Sequence, residues 1–247
     1  MLTFALGTPA HAQAFDPALY AELLERHTRA VAEIAGTRVD YPGLAASADW
    51  RRLVAQLDMT DPSAFASRGQ RLAFWINAYN ILAIDLVARH PGIASIRDVG
   101  SLLRPVWKRE AGRISGQPMS LDEIENGILR KQNEPRIHAA IVCASLSCPP
   151  LRREPFDAAG LDAQLDDAVR RWLASPAKGL RLERARGVLW LSRIFDWFEA
   201  DFEPDGVSAF VSRYLSDADR AFVETRRPRI EFFDYDWRVN ALVAKLE

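Results

Sequence analysis

The stretch RLAFWINAYNILAIDLVARH, residues 71–90, is apolar on nearly every side of a helical wheel. It contains neither proline nor glycine, and Pro91-Gly92 follows it at once. That pattern predicts a central buried helix ending before Pro91. A helix with no wet face must be covered all round, so the rest of the chain is expected to layer around it. Asn77 and Asn80 stand three positions apart and therefore share a side of it. Burying an amide without partners costs about 1–3 kcal/mol. Either backbone from a neighbouring loop or a bound ligand must meet these two side chains, which makes them candidate binding residues.

Working outward, residues 16–36 (DPALYAELLERHTRAVAEIAG) read as an amphipathic helix with Tyr20, Leu23, Leu24, His27 and Val31 near one face. A turn-rich connection, TRVDYPGLAAS, leads to a second helix, ADWRRLVAQLD. Beyond the central helix, VWKREAGRISGQPM reads as a hairpin turning at Ala111-Gly112. Ser120 with Glu123 forms a capping box that opens a helix over 121–130. RIHAAIVCAS, residues 136–145, is strand-like, and DAAGLDAQLDDAVRRWLAS is helical. KGLRLERARGVLWLS reads as a second hairpin, followed by helices near 194–202 and 207–215 and a late strand, RIEFFDYDW. Helices outnumber strands, and the strands come as hairpins. The expected fold class is α+β: a helix-rich single domain, residues 13–247, with a small antiparallel sheet.

The chain has 247 residues, enough for one large core. With 32 basic and 33 acidic side chains the net charge is -1, so no overall field draws in nucleic acid. No uninterrupted apolar run approaches the roughly 18 residues of a membrane span. Residues 1–12, MLTFALGTPAHA, are different: a short apolar core precedes Ala10-His11-Ala12, an A-x-A cleavage pattern, although the basic n-region is missing. They are expected to be the remnant of a signal peptide, with Gln13 as mature N-terminus and a periplasmic or secreted location.

HAAIVCASLSCPP, residues 138–150, holds one histidine and both cysteines of the chain. On a strand, His138 and Val142 would face one side and Cys143 the other. Cys143 is then a buried, inert thiol, while Cys148, in a Ser-Cys-Pro-Pro turn, is the candidate nucleophile with His138 as its base. The Cys-x4-Cys spacing equally permits a disulfide. Glu125 lies on the apolar face of its helix with Leu121, Ile124 and Ile128, so it is either paired with Arg130 or Arg152 or is a tuned acid/base. Asp236 is a further inward candidate that a turn would also explain. One histidine and two cysteines fall short of a zinc ligand set, so no metal and no cofactor are expected.

These segments resemble the bacterial and plant family called domain of unknown function 547. The resemblance rests on VDY at 39, FWINAYN at 74, LDEIENGILR at 121, HAAIVCASLSCPPLR at 138, LSRIFDWFEADF at 191 and YDWRVN at 235. The family usually has histidine after the IE pair; here that position is Asn126, which removes a second histidine from any mechanism. A histidine opening a strand downstream of a buried helix is also similar to the papain and transglutaminase-like arrangement, although no cysteine stands near residues 71–77. Two functional classes follow. One is a non-catalytic exported binding or structural domain, in which Asn77, Asn80, Glu125, Arg152 and Asp236 hold a small-molecule or peptide ligand or lock the fold. The other is a cysteine-dependent hydrolase or acyltransferase acting on amide or thioester bonds, with Cys148, His138 and Glu125 as its machinery.

Overall fold

Ser67 and Gln70 start the central helix. Ser67 Oγ accepts from Gln70 N–H, and Gln70 Oε1 accepts from Ser67 N–H, a complete capping box. In the computed structural model, which describes residues 14–242, that helix is the fourth of ten. In chain order the helices are α1 (Pro17–His27), α2 (Tyr41–Ala46), α3 (Ala48–Met59), α4 (Arg68–Ala88), α5 (Leu121–Ile124), α6 (Ile137–Ala140), α7 (Leu161–Leu173), α8 (Ile194–Trp197), α9 (Gly206–Ser212) and α10 (Asp217–Arg226). The strands are β1 (Thr28–Ala30), β2 (Thr37–Val39), β3 (Glu110–Ile114), β4 (Gln117–Ser120), β5 (Leu180–Glu183), β6 (Val188–Leu191) and β7 (Arg229–Phe232). The chain is a helix-rich α+β domain with three small sheets. β1–β2 and β3–β4 are antiparallel hairpins, while in the third sheet β6 pairs antiparallel with β5 and parallel with β7.

From Leu72 to Ala88 only Trp75 escapes full burial. The polar side chains on α4 are all matched. Asp85 accepts from Trp50 Nε1 at 3.0 Å and from Arg89 Nε at 2.6 Å. Gly112 in β3 lets that strand lie on the helix, because a Cβ there would stand 2.4 Å from Leu82 Cδ2. One hydrophobic cluster extends from Leu19 to Val223, so helices and sheets share a single core.

Local propensity misplaced several elements. α1 stops at His27 instead of reaching Val31. Thr28 leaves the helix to pair with Val39, and Gly36 turns the chain at φ +69 with Pro150 packed where its Cβ would be. The first large hairpin turns at Ser115-Gly116 and not at Ala111-Gly112. Both Ser115 and Gly116 have positive φ, as a tight two-residue β-turn requires. The strand expected over 136–145 is absent. Ile137–Ala140 form one helical turn, and the groups a ladder would need are taken by α4: Asn80 Nδ2 donates to Ala140 O and Val142 N–H donates to Asn80 Oδ1, each at 2.9 Å. α10, capped by Ser216, was not anticipated. The A-x-A segment lies outside the described residues.

The C-terminal segment 235–242 is an extended strap. It hydrogen-bonds in turn to Ser147, Leu146, Ala94, Ala144 and Val39. Asn240, buried, accepts from Tyr41 OH at 2.6 Å and donates to Thr37 O at 3.2 Å. This strap carries Tyr235 and Trp237 to the loop that holds both cysteines.

Candidate functional site

Where α5 runs into a π turn over Glu125–Leu129, Asp122, Glu125 and Asn126 fall on one face, three and four positions apart. π turns in α-helices concentrate at functional sites. That face forms one wall of a cavity of about 260 Å³. Tyr79 from α4, His138 and Ile141 lie beside it, with both cysteines, while Trp107, Ile194, Trp197, Phe198, Tyr235 and Trp237 complete the lining. Six aromatic side chains and two carboxylates thus meet in a cavity lined by no lysine or arginine.

His138 is 2% exposed. Its Nε2 lies 2.7 Å from Asp201 Oδ2, and its ring stacks on Phe198 with centroids 4.4 Å apart. Asp201 also receives Arg130, Nε on Oδ2 at 2.6 Å and Nη2 on Oδ1 at 2.7 Å. Burial pushes the His138 pKa down and outweighs the Asp201 carboxylate, which would raise it. Burial also opposes the charge on Asp201, but the hydrogen bonds from His138 and Arg130 win and hold its pKa well below the carboxylate range. The pair is therefore a neutral imidazole donating Nε2–H to an ionised carboxylate whose charge partner is Arg130. That tautomer leaves Nδ1 as an acceptor, with no protein partner among the described residues.

Of the two alternatives for Glu125, the ion pair with Arg130 or Arg152 is not formed. Glu125 accepts from Tyr79 OH at 3.0 Å. Burial raises its pKa to about 7, the Tyr79 hydrogen bond opposing. Asn126, in the position where a family histidine would stand, donates to Asp122 Oδ1 at 2.9 Å and accepts from Arg130 Nη1 at 2.7 Å. Asp122, Asn126, Arg130, Asp201 and His138 consequently form one continuous polar chain.

Cys148 is not the free thiol expected of a nucleophile. It is joined to Cys143 in a disulfide, with Cα atoms 6.1 Å apart. Cys143 is not segregated from His138 either. The chain there is no strand, so the face alternation does not apply, and both cysteines line the cavity that His138 lines. Tyr235 OH stands 3.1 Å from Cys143 Sγ and 3.3 Å from Cys148 Sγ. Ala144, between Cys143 and Ser145, has φ +57, a left-handed conformation that costs a residue with a Cβ about 1–2 kcal/mol.

The remaining candidates lie elsewhere. Asn77 is a clamp: its Nδ2 donates to Phe156 O at 2.8 Å and its Oδ1 accepts from Phe156 N–H at 2.9 Å. Asn80 clamps Ala140 and Val142 as described, so backbone takes the place of a ligand at both amides. Arg152 pairs with Asp167 and Glu154 and lies over Phe156, away from the cavity. Asp236 turns outward to Arg238 and accepts from its backbone N–H at 3.0 Å, the turn reading. Sequence reasoning missed Asp201, Tyr79, Tyr235 and the tryptophan walls. The one signal was that Asp201 and Trp197 sit in the quoted LSRIFDWFEADF stretch, and Tyr235 and Trp237 in YDWRVN.

Among the described residues no cluster of three or more His, Cys, Asp or Glu side chains could hold a metal. A family model described as "Protein of unknown function, DUF547" matches residues 63–173. That segment contains Tyr79, Glu125, His138 and both cysteines, while Asp201, Trp197 and the strap lie beyond it. No curated protein and no solved structure matches the chain. The papain and transglutaminase-like resemblance is left without support, since His138 lies within a helical turn and opens no strand, and α4 begins without a cysteine.

Proposed function

We propose, for a chain that belongs to the DUF547 family over residues 63–173, that the cavity is a non-catalytic binding site for a small organic cation. The observation that carries this reading is the lining: six aromatic side chains with Asp122 and Glu125, and no lysine or arginine. Aromatic faces attract cations by about 0.5–2 kcal/mol each, most strongly when water is excluded. Trp237 already accepts one such contact, with the Arg97 guanidinium 5.1 Å from its ring centre. At about 260 Å³ the cavity sits below the usual drug-sized range, which suits a substituted ammonium group. His138 Nδ1 offers one neutral acceptor to a donor on the ligand.

The competing hydrolase reading needs a free Cys148 thiolate beside His138, and the oxidised pair, in which Cys148 is bonded to Cys143, favours the binding reading over it. The same disulfide supports a periplasmic or secreted setting for the protein, since such bonds persist in oxidising compartments. N-terminal sequencing of protein from the native host tests the export reading; an intact Met1 on cytoplasmic protein would end it.

The binding reading is tested by titrating the protein with tetramethylammonium and benzyltrimethylammonium while following tryptophan emission. Trp107, Trp197 and Trp237 all line the cavity and should report occupancy. A saturable change, weakened by Trp197→Ala, is the expected result. No saturation with either probe, or a response unchanged in Trp197→Ala, would discard the reading.

A further inference from the structure

We infer that the Cys143–Cys148 disulfide is a thiol–disulfide exchange site for low-molecular-weight thiols. The inference goes beyond cation binding and does not rest on it. Cys143 and Cys148 both line the cavity, so a thiol that enters it comes up against the residues that carry the bond.

The two sulfurs are not equivalent. Cys143 is half-buried, whereas Cys148 is 4% exposed. Cys148 is also fixed by its backbone: its N–H donates to Ser145 O at 3.3 Å and its carbonyl accepts from the buried Lys178 ammonium. Attack is therefore directed to Cys143, with Cys148 as the leaving group. The leaving sulfur is provided for, because the Cys143 N–H points at Cys148 Sγ from 2.8 Å and Tyr235 OH donates to it from 3.3 Å. Donors aimed at a sulfur stabilise its thiolate and speed its departure.

The loop does not depend on the bond for its shape. Leu146 N–H donates to Arg238 O at 2.9 Å, Asp236 N–H to Ser147 Oγ at 2.9 Å, and Asn240 N–H to Ala144 O at 3.1 Å. Lys178 Nζ holds Leu146 O at 3.1 Å from beneath. A crosslink spanning only five positions constrains the unfolded chain less than one that closes a long loop. Cleavage can then proceed with the fold in place.

The chemistry balances without a further reagent. A thiolate RS⁻ attacks Cys143 Sγ; the S–S bond breaks and its electron pair leaves on Cys148 Sγ. A second RS⁻ attacks the R-bearing sulfur of the mixed disulfide, RSSR departs, and Cys143 is left as thiolate. The protons given up by two RSH end on Cys143 and Cys148. Two thiols are oxidised to one disulfide as the protein disulfide is reduced to a dithiol, and RSSR in excess drives the reverse.

The probes are 2-mercaptoethanol and hydroxyethyl disulfide. Native protein should be reduced by the thiol while keeping its circular dichroism and cooperative melting, and reoxidised by the disulfide. Cys148→Ser, treated with hydroxyethyl disulfide, should capture one mercaptoethanol unit at Cys143 and release one 2-mercaptoethanol, read by mass mapping. Cys143→Ser, with only the buried Cys148, should react about tenfold or more slowly. Tyr235→Phe should slow exchange in folded protein. Reduction that requires denaturant, or equal reactivity of the two single-cysteine variants, would overturn the proposal. The first of these is read on unaltered protein, and ammonium titration of the same sample scores the binding reading separately.

Discussion

Asp201 Oδ2 lies 2.7 Å from His138 Nε2, across 63 positions of sequence, and the same carboxylate holds Arg130 in a two-point contact. The carboxylate joins the turn after α8 to α6 and to the helical segment that carries Glu125. It also fixes the His138 tautomer, so the cavity meets an imidazole acceptor and not a cation.

Replacing Asp201 with asparagine should lower stability at pH 7 by about 2–4 kcal/mol, since Arg130 is left partly buried without its counter-charge. The folded pKa of Asp201 is depressed, so this contribution is complete above the unfolded value near 4 and is lost as pH falls through the folded value. Urea unfolding of both proteins at pH 7 and at acid pH should show the gap closing on acidification. A gap that holds or widens in acid would mean the carboxylate acts by shape alone.

Glu125 has the opposite sign. Its folded pKa is raised to about 7, so the native state binds more protons than the unfolded chain below that value and stability falls as pH rises from about 4.5 to 7. Glu125→Gln, which can still accept from Tyr79, should stabilise the protein by about 1–3 kcal/mol at pH 8 and change little at pH 4. A bound ammonium group favours the carboxylate, so cation affinity should climb through pH 7 in the native protein. That rise should vanish in the glutamine variant. Calorimetric titration across pH checks both statements.

Asn80 to leucine should cost about 2–3 kcal/mol, because Ala140 O and Val142 N–H lose their partner in a buried setting. Those two groups fix the backbone just after His138. The substitution should therefore also broaden or shift the His138 ring signals in NMR spectra. An unchanged melting midpoint would show the clamp to be idle.

Lys178 is 1% exposed and its Nζ faces Ala35 O at 3.0 Å, Leu146 O at 3.1 Å and Cys148 O. Burial pulls its pKa down to about 7, but only an ammonium has three hydrogens for three carbonyls. Lys178→Met fills the space and satisfies none of them, so it should lower stability by about 2–4 kcal/mol. The variant should also lose protection of the Leu146–Cys148 segment in hydrogen exchange. Protection as in the native protein would show that the strap alone holds that loop.

The central helix, α3, the capping box at Ser120 and the hairpin of β5 with β6 were all legible in the sequence. Each is set by interactions within a few residues or by a periodic apolar pattern, which a linear reading captures. The demand that Asn77 and Asn80 be met was equally legible, because a buried amide must find partners wherever they come from. Which partners it found was decided in three dimensions. Asn80 took the backbone after His138 and, with the strap, turned an expected strand into a helical turn and an extended loop. The pairing of His138 with Asp201 and the assembly of Trp107, Trp197 and Trp237 around Glu125 depend on contacts between distant segments. No local rule encodes such contacts, because their free energy exists only once α4 has gathered the chain around itself.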